Sequence, residues 1–137
     1  MTSKDFTIKS VDRTLLNIPF HERCARVKEI RVPGWTQVEL CTVTTTAGVT
    51  GIGETIVHYT WGRVTDQAIE RVVGHNLFDF LWDDSLGAGL QMALYDAAGK
   101  ALGVPCHRLM GEKFRDACPV SWWAQDMKPD EWAAEAR

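Results

Sequence analysis

The stretch Ser85–Gly111, SLGAGLQMALYDAAGKALGVPCHRLMG, decides how the rest of the chain is read. It predicts one long buried helix, a stop and a single further turn. Ser85 is expected at the N-cap, where its hydroxyl can accept from an unpaired N–H of the first turn. Leu86, Leu90, Ala93, Leu94, Ala97 and Ala101 then recur at helical spacing and form a continuous apolar stripe. Ala93, Ala97, Ala98, Gly99 and Ala101 are small, so another element can approach this helix closely. Gly103 stands where a left-handed residue ends a helix, and Pro105 follows where no helix continues. His107–Met110 is one turn, closed by Gly111.

Upstream of the helix the pattern is that of strands. Phe6 to Ile18 reads as the first, with Phe6 and Ile8 alternating before the pattern shifts at Val11. Pro19 to Gly34 is a polar, basic connection. Trp35 to Thr45 is the strongest strand signal, rich in β-branched residues, with Val38, Leu40 and Thr42 on one side. Thr46-Ala47-Gly48 is a turn, and Val49 to Thr55 returns, giving an antiparallel meander. His58 to Gly62 is a second loop. Thr65 can cap a helix reaching about Val73 and ended by Gly74. Asn76 to Asp84 holds a short helix with Leu77, Phe78, Phe80 and Leu81 inward. Strands followed by a helical cluster make an α+β chain. After Gly111, Cys118 to Trp123 reads as a strand and Pro129 opens a helix, with Asp130 and Glu131 at its positive end.

Composition narrows the classes of function. The 137 residues suit one domain and carry a net charge of −3 with mixed signs. That balance gives no footprint for nucleic acid or a membrane surface. No signal peptide and no window resembling a transmembrane span is visible. The four cysteines, Cys24, Cys41, Cys106 and Cys118, form no Cys-x-x-Cys pair. They read as free thiols of a cytoplasmic protein. His-Glu-x-x-His, a phosphate loop and a Gly-x-Ser-x-Gly elbow are absent.

The run Ala93-Leu94-Tyr95-Asp96-Ala97-Ala98-Gly99-Lys100-Ala101-Leu102-Gly103-Val104-Pro105, followed by Leu109-Met110-Gly111, resembles the N-terminal domain of the enolase superfamily. It is most similar to the mandelate racemase/muconate lactonizing branch. Gly51-Ile52-Gly53-Glu54 upstream, and Arg115-Asp116 followed by Pro119-Val120 downstream, agree in order and spacing. The resemblance divides the chain into a capping domain, residues 1–117, and the start of a TIM-type barrel, residues 118–137. A complete barrel of that kind takes about 250 residues, so the chain is expected to be the cap and first barrel strand of a longer enzyme. Residues 118–137 are then expected to be poorly ordered, or to pair in another way, for want of neighbouring strands.

The resemblance also implies a chemistry. Family members abstract a proton next to a carboxylate and hold the enediolate on a divalent metal, usually Mg²⁺, a task that needs metal and base together. The acidic ligands and the base lie on barrel strands, so no catalytic or metal residue and no bound cofactor is assigned to this chain. What carries over is the capping role of two loops, Pro19–Gly34 and Glu54–Gly62, which close over the barrel mouth and shape the substrate pocket.

Candidate substrate contacts are Phe20, His21 and Arg23 in the first loop and His58, Tyr59 and Trp61 in the second. Arg23 offers a bidentate fork for a carboxylate, the alternative being a solvated basic loop. Phe20 is either a pocket wall or a core residue. The three residues of the second loop suit a pocket or an interface, since exposed aromatics usually meet something, or else local packing. Glu54 is read as holding its loop rather than acting as a base. Asp96 and Lys100, four apart in the favourable order, are read as a structural pair. His75 and His107 are structural by default.

The polar, cationic first loop favours an acid-sugar dehydratase, with racemases and cycloisomerases as alternatives. The partners so implied are the barrel domain, a small carboxylate substrate and a further copy of the chain. A stand-alone binding or self-association module, or a gene fragment without function, is the rival.

Overall fold

The computed structural model describes residues 6–21, 25, 28, 31–59, 61–121 and 127–135. Three strands form an antiparallel sheet in the order β1-β2-β3: β1 (Ile8–Asn17), β2 (Gln37–Thr45) and β3 (Thr50–Ile56). The pattern shift near the start of β1 is physical. The pairing of β1 with β2 slips between Ile8 and Ser10, as at a β-bulge. Between β2 and β3, Gly48 turns the chain at φ 81°, a left-handed value that glycine adopts without strain. A 3₁₀ turn, Pro33–Thr36, precedes β2, so the second strand starts two residues later than its sequence suggests.

Side chains alternate along β2, and the face bearing Glu39, Cys41, Val43 and Thr45 is fully buried. It packs against the long helix. Helix α1 (Asp66–Val72) is capped by the Thr65 hydroxyl, which accepts from the Ala68 N–H at 3.1 Å. Two 3₁₀ turns follow, Leu77–Phe80 and Asp84–Leu86. They bury Leu77, Leu81 and Leu86, with Phe78 and Phe80 packed against the same core.

The helix α2 spans Ala88–Leu102. Ser85 is not its cap. It lies in the preceding 3₁₀ turn, where the Asp83 carboxylate takes the capping position and accepts from the Ser85 N–H. The Ser85 hydroxyl instead donates to Asp83 and accepts from Arg71. Gly87, at φ 84°, changes the chain direction and sets the start of α2. The far end follows expectation: Gly103 is left-handed at φ 67°, and Val104 N–H closes back on Gly99 at 2.9 Å.

The small residues of α2 meet β3. A Cβ on Gly51 would lie 2.1 Å from the Ala93 carbonyl oxygen, and one on Gly53 would lie 2.1 Å from that of Gly89. Only glycine at both positions lets strand and helix backbones touch. At the open edge of β3, Asp96 and Lys100 take over the work of a missing strand. Asp96 accepts from the Ile52 N–H at 2.8 Å, and Lys100 donates to the Thr50 carbonyl at 3.0 Å and to Asp96 at 2.6 Å.

Beyond α2, α3 (His107–Met110) is the single expected turn and Gly111 closes it. Residues 118–121 form no strand, a correction to the reading of Cys118–Trp123. A lone barrel strand has no neighbour to complete its ladder, and none is found among the described residues. Trp122 and Trp123 lie outside the described residues. Helix α4 (Pro129–Glu135) starts at the proline, as expected. Cys41, Cys106 and Cys118 are free thiols. Among the described residues no helix is long and apolar enough to cross a membrane.

Candidate functional site

The register of the sheet brings the ends of the two candidate loops together. Asn17, the last residue of β1, pairs with Gln37, the first of β2, and Val38 pairs with Ile56 at the end of β3. The segments that leave β1 and β3 therefore emerge from the same end of the sheet.

Side chains tie the two segments. His58 Nε2 and Gln37 Oε1 are hydrogen-bonded at 2.7 Å. The His58 ring lies over Gly34, where an added Cβ would come within 2.9 Å of it. Tyr59 and Trp35 stack edge to face, with ring centroids 5.0 Å apart. Val57 N–H donates to the Gln37 carbonyl at 3.0 Å. His58 and Tyr59 thus hold the second loop to the 3₁₀ turn and the start of β2, just after the first loop, while both stay exposed at the surface.

The remaining candidates are dispersed. Trp61, with 62% of its surface exposed, turns toward α2. There it lines a shallow cavity of about 250 Å³ with Asp84, Ala88 and Gln91. Phe20 is half-buried outside the main core, with the Lys28 ammonium 5.2 Å from its ring centroid. His21 is exposed. Arg23 lies outside the described residues. Glu54 is exposed within β3, on the sheet face opposite α2.

The anchoring carboxylate of the second loop is Glu39. It is fully buried, and it accepts from Arg63 Nε at 2.6 Å and from the Val64 N–H at 2.8 Å. Arg13 closes the arrangement, donating to the Val64 carbonyl and pairing with Asp66. Glu39 also acts on its neighbour. Burial first, and then the Glu39 carboxylate, push the Cys41 thiol up to about 12. Sequence reasoning missed Trp35, Gln37, Glu39 and Arg63 as parts of this site. The available signal was Glu39 itself, an acid set between Val38 and Leu40 in an otherwise apolar and threonine-rich strand.

Mg²⁺ takes oxygen ligands, carboxylates above all. The buried Glu39 carboxylate is already held by Arg63 and Val64. Among the described residues, no group of three or more His, Cys, Asp or Glu could hold a metal ion. These residues do not fit the metal that the resemblance implies, and no reaction step passes through one here.

No family model matches the chain. A muconate cycloisomerase 1 from Rhodococcus opacus is 30% identical over 86% of this chain and 37% of its own length. A D-xylonate dehydratase from Haloferax volcanii is 31% identical over 87% of this chain and 34% of its own. The solved muconate lactonizing enzyme of Pseudomonas putida superposes on 95% of this chain and 39% of that one, with a TM-score of 0.71 at 22% identity.

The chain matches the mandelate racemase/muconate lactonizing branch of the enolase superfamily. It spans little more than a third of the length of those two curated relatives. Its three-stranded sheet and helical cluster are the α+β arrangement expected from the sequence. The family motif acquires a physical reading here: Gly51 and Gly53 admit the α2 backbone, and Asp96 and Lys100 close the β3 edge.

Proposed function

We propose that this chain is the substrate-facing cap of a metal-dependent enzyme of the mandelate racemase/muconate lactonizing branch. Residues 1–117 form the cap, and residues 118–137 lead into the barrel that supplies base and metal ligands. The reaction would be proton abstraction next to a carboxylate, and a divalent metal held by barrel residues would supply the charge stabilisation. By itself the cap performs no chemistry. The observation that supports this reading is the shared end of the sheet, where both loops emerge and His58 and Tyr59 hold the second to Gln37 and Trp35, just after the first.

The substrate class is a small hydroxylated carboxylate, and the activity is acid-sugar dehydration. The basic residues of the first loop support this, and so does the likeness to a D-xylonate dehydratase. In this reading His21 and Arg23 face the anion, Phe20 and His58 border it, and Tyr59 and Trp61 exclude water.

The test is a chimera in which residues 1–117 replace the cap of a compatible family barrel. The metal-loaded chimera is assayed with acid sugars and with aromatic hydroxy acids. Turnover of acid sugars in preference is expected. Preference for the aromatic set overturns the dehydratase reading, and a folded chimera that turns over neither overturns the cap reading.

A further inference from the structure

Both feet of the second loop stand on one face of one strand. Gln37 and Glu39 are two apart on β2, so their side chains point the same way. Gln37 holds the near foot through its carbonyl to Val57 N–H and through its side chain to His58. Glu39 holds the far foot through Arg63 and the Val64 N–H. Val64 is held at both its backbone groups, since Arg13 donates to its carbonyl. Trp61 lies between the feet in sequence and lines the shallow cavity with Asp84, Ala88 and Gln91.

A buried carboxylate is a poor device for stability alone, because an apolar residue of similar volume often serves as well or better. Glu39 is nevertheless fully buried, and its two described partners both belong to the far foot of the loop. Paired, hydrogen-bonded charges of this kind fix geometry, because no other arrangement satisfies them.

We infer that Glu39 is a positioning residue: with Gln37 it fixes both ends of the second loop, at residues 57–59 and 61–64, and so where Trp61 stands. Its consequence for substrate choice rests on the cap reading above, whereas the positioning itself does not. β2 then acts as the ruler for the pocket wall, and the exposed loop residues can vary without the loop shifting.

The test uses the whole 137-residue chain. Amide hydrogen exchange is compared between wild type, Glu39→Gln and Arg63→Gln. Glu39→Gln keeps an acceptor for Val64 and loses the charge facing Arg63. Arg63→Gln removes the half-exposed partner and leaves the strand intact, so it reports even if the buried substitution prevents folding. A charge-assisted bond lost at the foot of a loop should speed exchange over 57–64 by about tenfold or more. Exchange in α2 should stay as in wild type. Unchanged exchange over 57–64 in Arg63→Gln overturns the inference. So does an equal rise in α2, which would mean loss of general stability.

In the chimera, Arg63→Gln should raise KM by about fivefold with kcat little changed, as expected for lost uniform binding. If the loop loosens in exchange but KM does not move, the positioning stands and the cap reading fails.

Discussion

At the scale of single residues, the firmest constraints are close approaches. A Gly53→Ala variant would drive a methyl group to 2.1 Å from a helix carbonyl oxygen. Backbone cannot yield as a side chain can, so the expected loss is about 3 kcal/mol. Chemical denaturation checks it against Gly48→Ala, whose added Cβ meets nothing within 4 Å. That control should lose only the left-handed penalty, about 1 kcal/mol. Cys41 gives a second prediction. Its thiol sits at about 12 when folded, against 9.0 as the ordinary value. The folded chain therefore holds a proton that the unfolded chain releases between these pH values. The stabilising contribution is complete below pH 9.0 and is lost as pH rises toward about 12. Denaturation midpoints should fall across that window in wild type, and less steeply in Cys41→Ala. The glycine pair was visible in the sequence as a motif. Its reason was not, because the atom that forbids a side chain belongs to a helix some forty residues away. Glu39 was hidden for a similar reason: the alternation read along β2 marked Val38, Leu40 and Thr42, the structure fully buries the opposite face, and only Arg63 and Val64 explain an acid there.

At the scale of elements, α2 does two jobs, and the sequence disclosed one. Its apolar stripe and its glycine stop followed from spacing, and the structure buries Leu90, Ala93, Leu94 and Ala97 as expected. Its start did not follow. Ser85 is a good cap by local chemistry, and that chemistry does not say which helical turn it belongs to. Asp83 caps the 3₁₀ turn and Gly87 then turns the chain. The second job is edge closure. Asp96 and Lys100 looked like an ordinary helix pair, and they are one at 2.6 Å. They also finish the hydrogen bonding of β3, a function that appears only when the helix lies beside the strand. Asp96→Ala should therefore cost more than a surface pair would, about 1–2 kcal/mol, because Ile52 N–H loses its acceptor. Lys100→Ala should cost less than about 1 kcal/mol. Equal losses by urea denaturation would show that the pair acts only within the helix.

At the scale of the whole molecule, the sheet, α1 and α2 enclose one core, and the segment after α3 stands outside it. Phe114 is 88% exposed and Val120 is 91% exposed, both within one short segment. The sequence expects a strand from Cys118 onward, and periodicity can propose a strand without saying what pairs with it. The described part of that segment, residues 118–121, makes no ladder. Apolar side chains held in water gain about 25 cal/mol for each Å² they cover, whatever covers them. The isolated chain should therefore associate with itself as concentration rises. Light scattering should show a mean mass that climbs with concentration, and a Phe114→Ser/Val120→Ser variant should shift the climb to higher concentration. The folded core should be untouched by those changes, since neither residue belongs to it. A wild-type chain that stays monomeric throughout would overturn this prediction. In either case calorimetry with Mg²⁺ should give no stoichiometric heat, because the carboxylates of the described cap are dispersed or already paired.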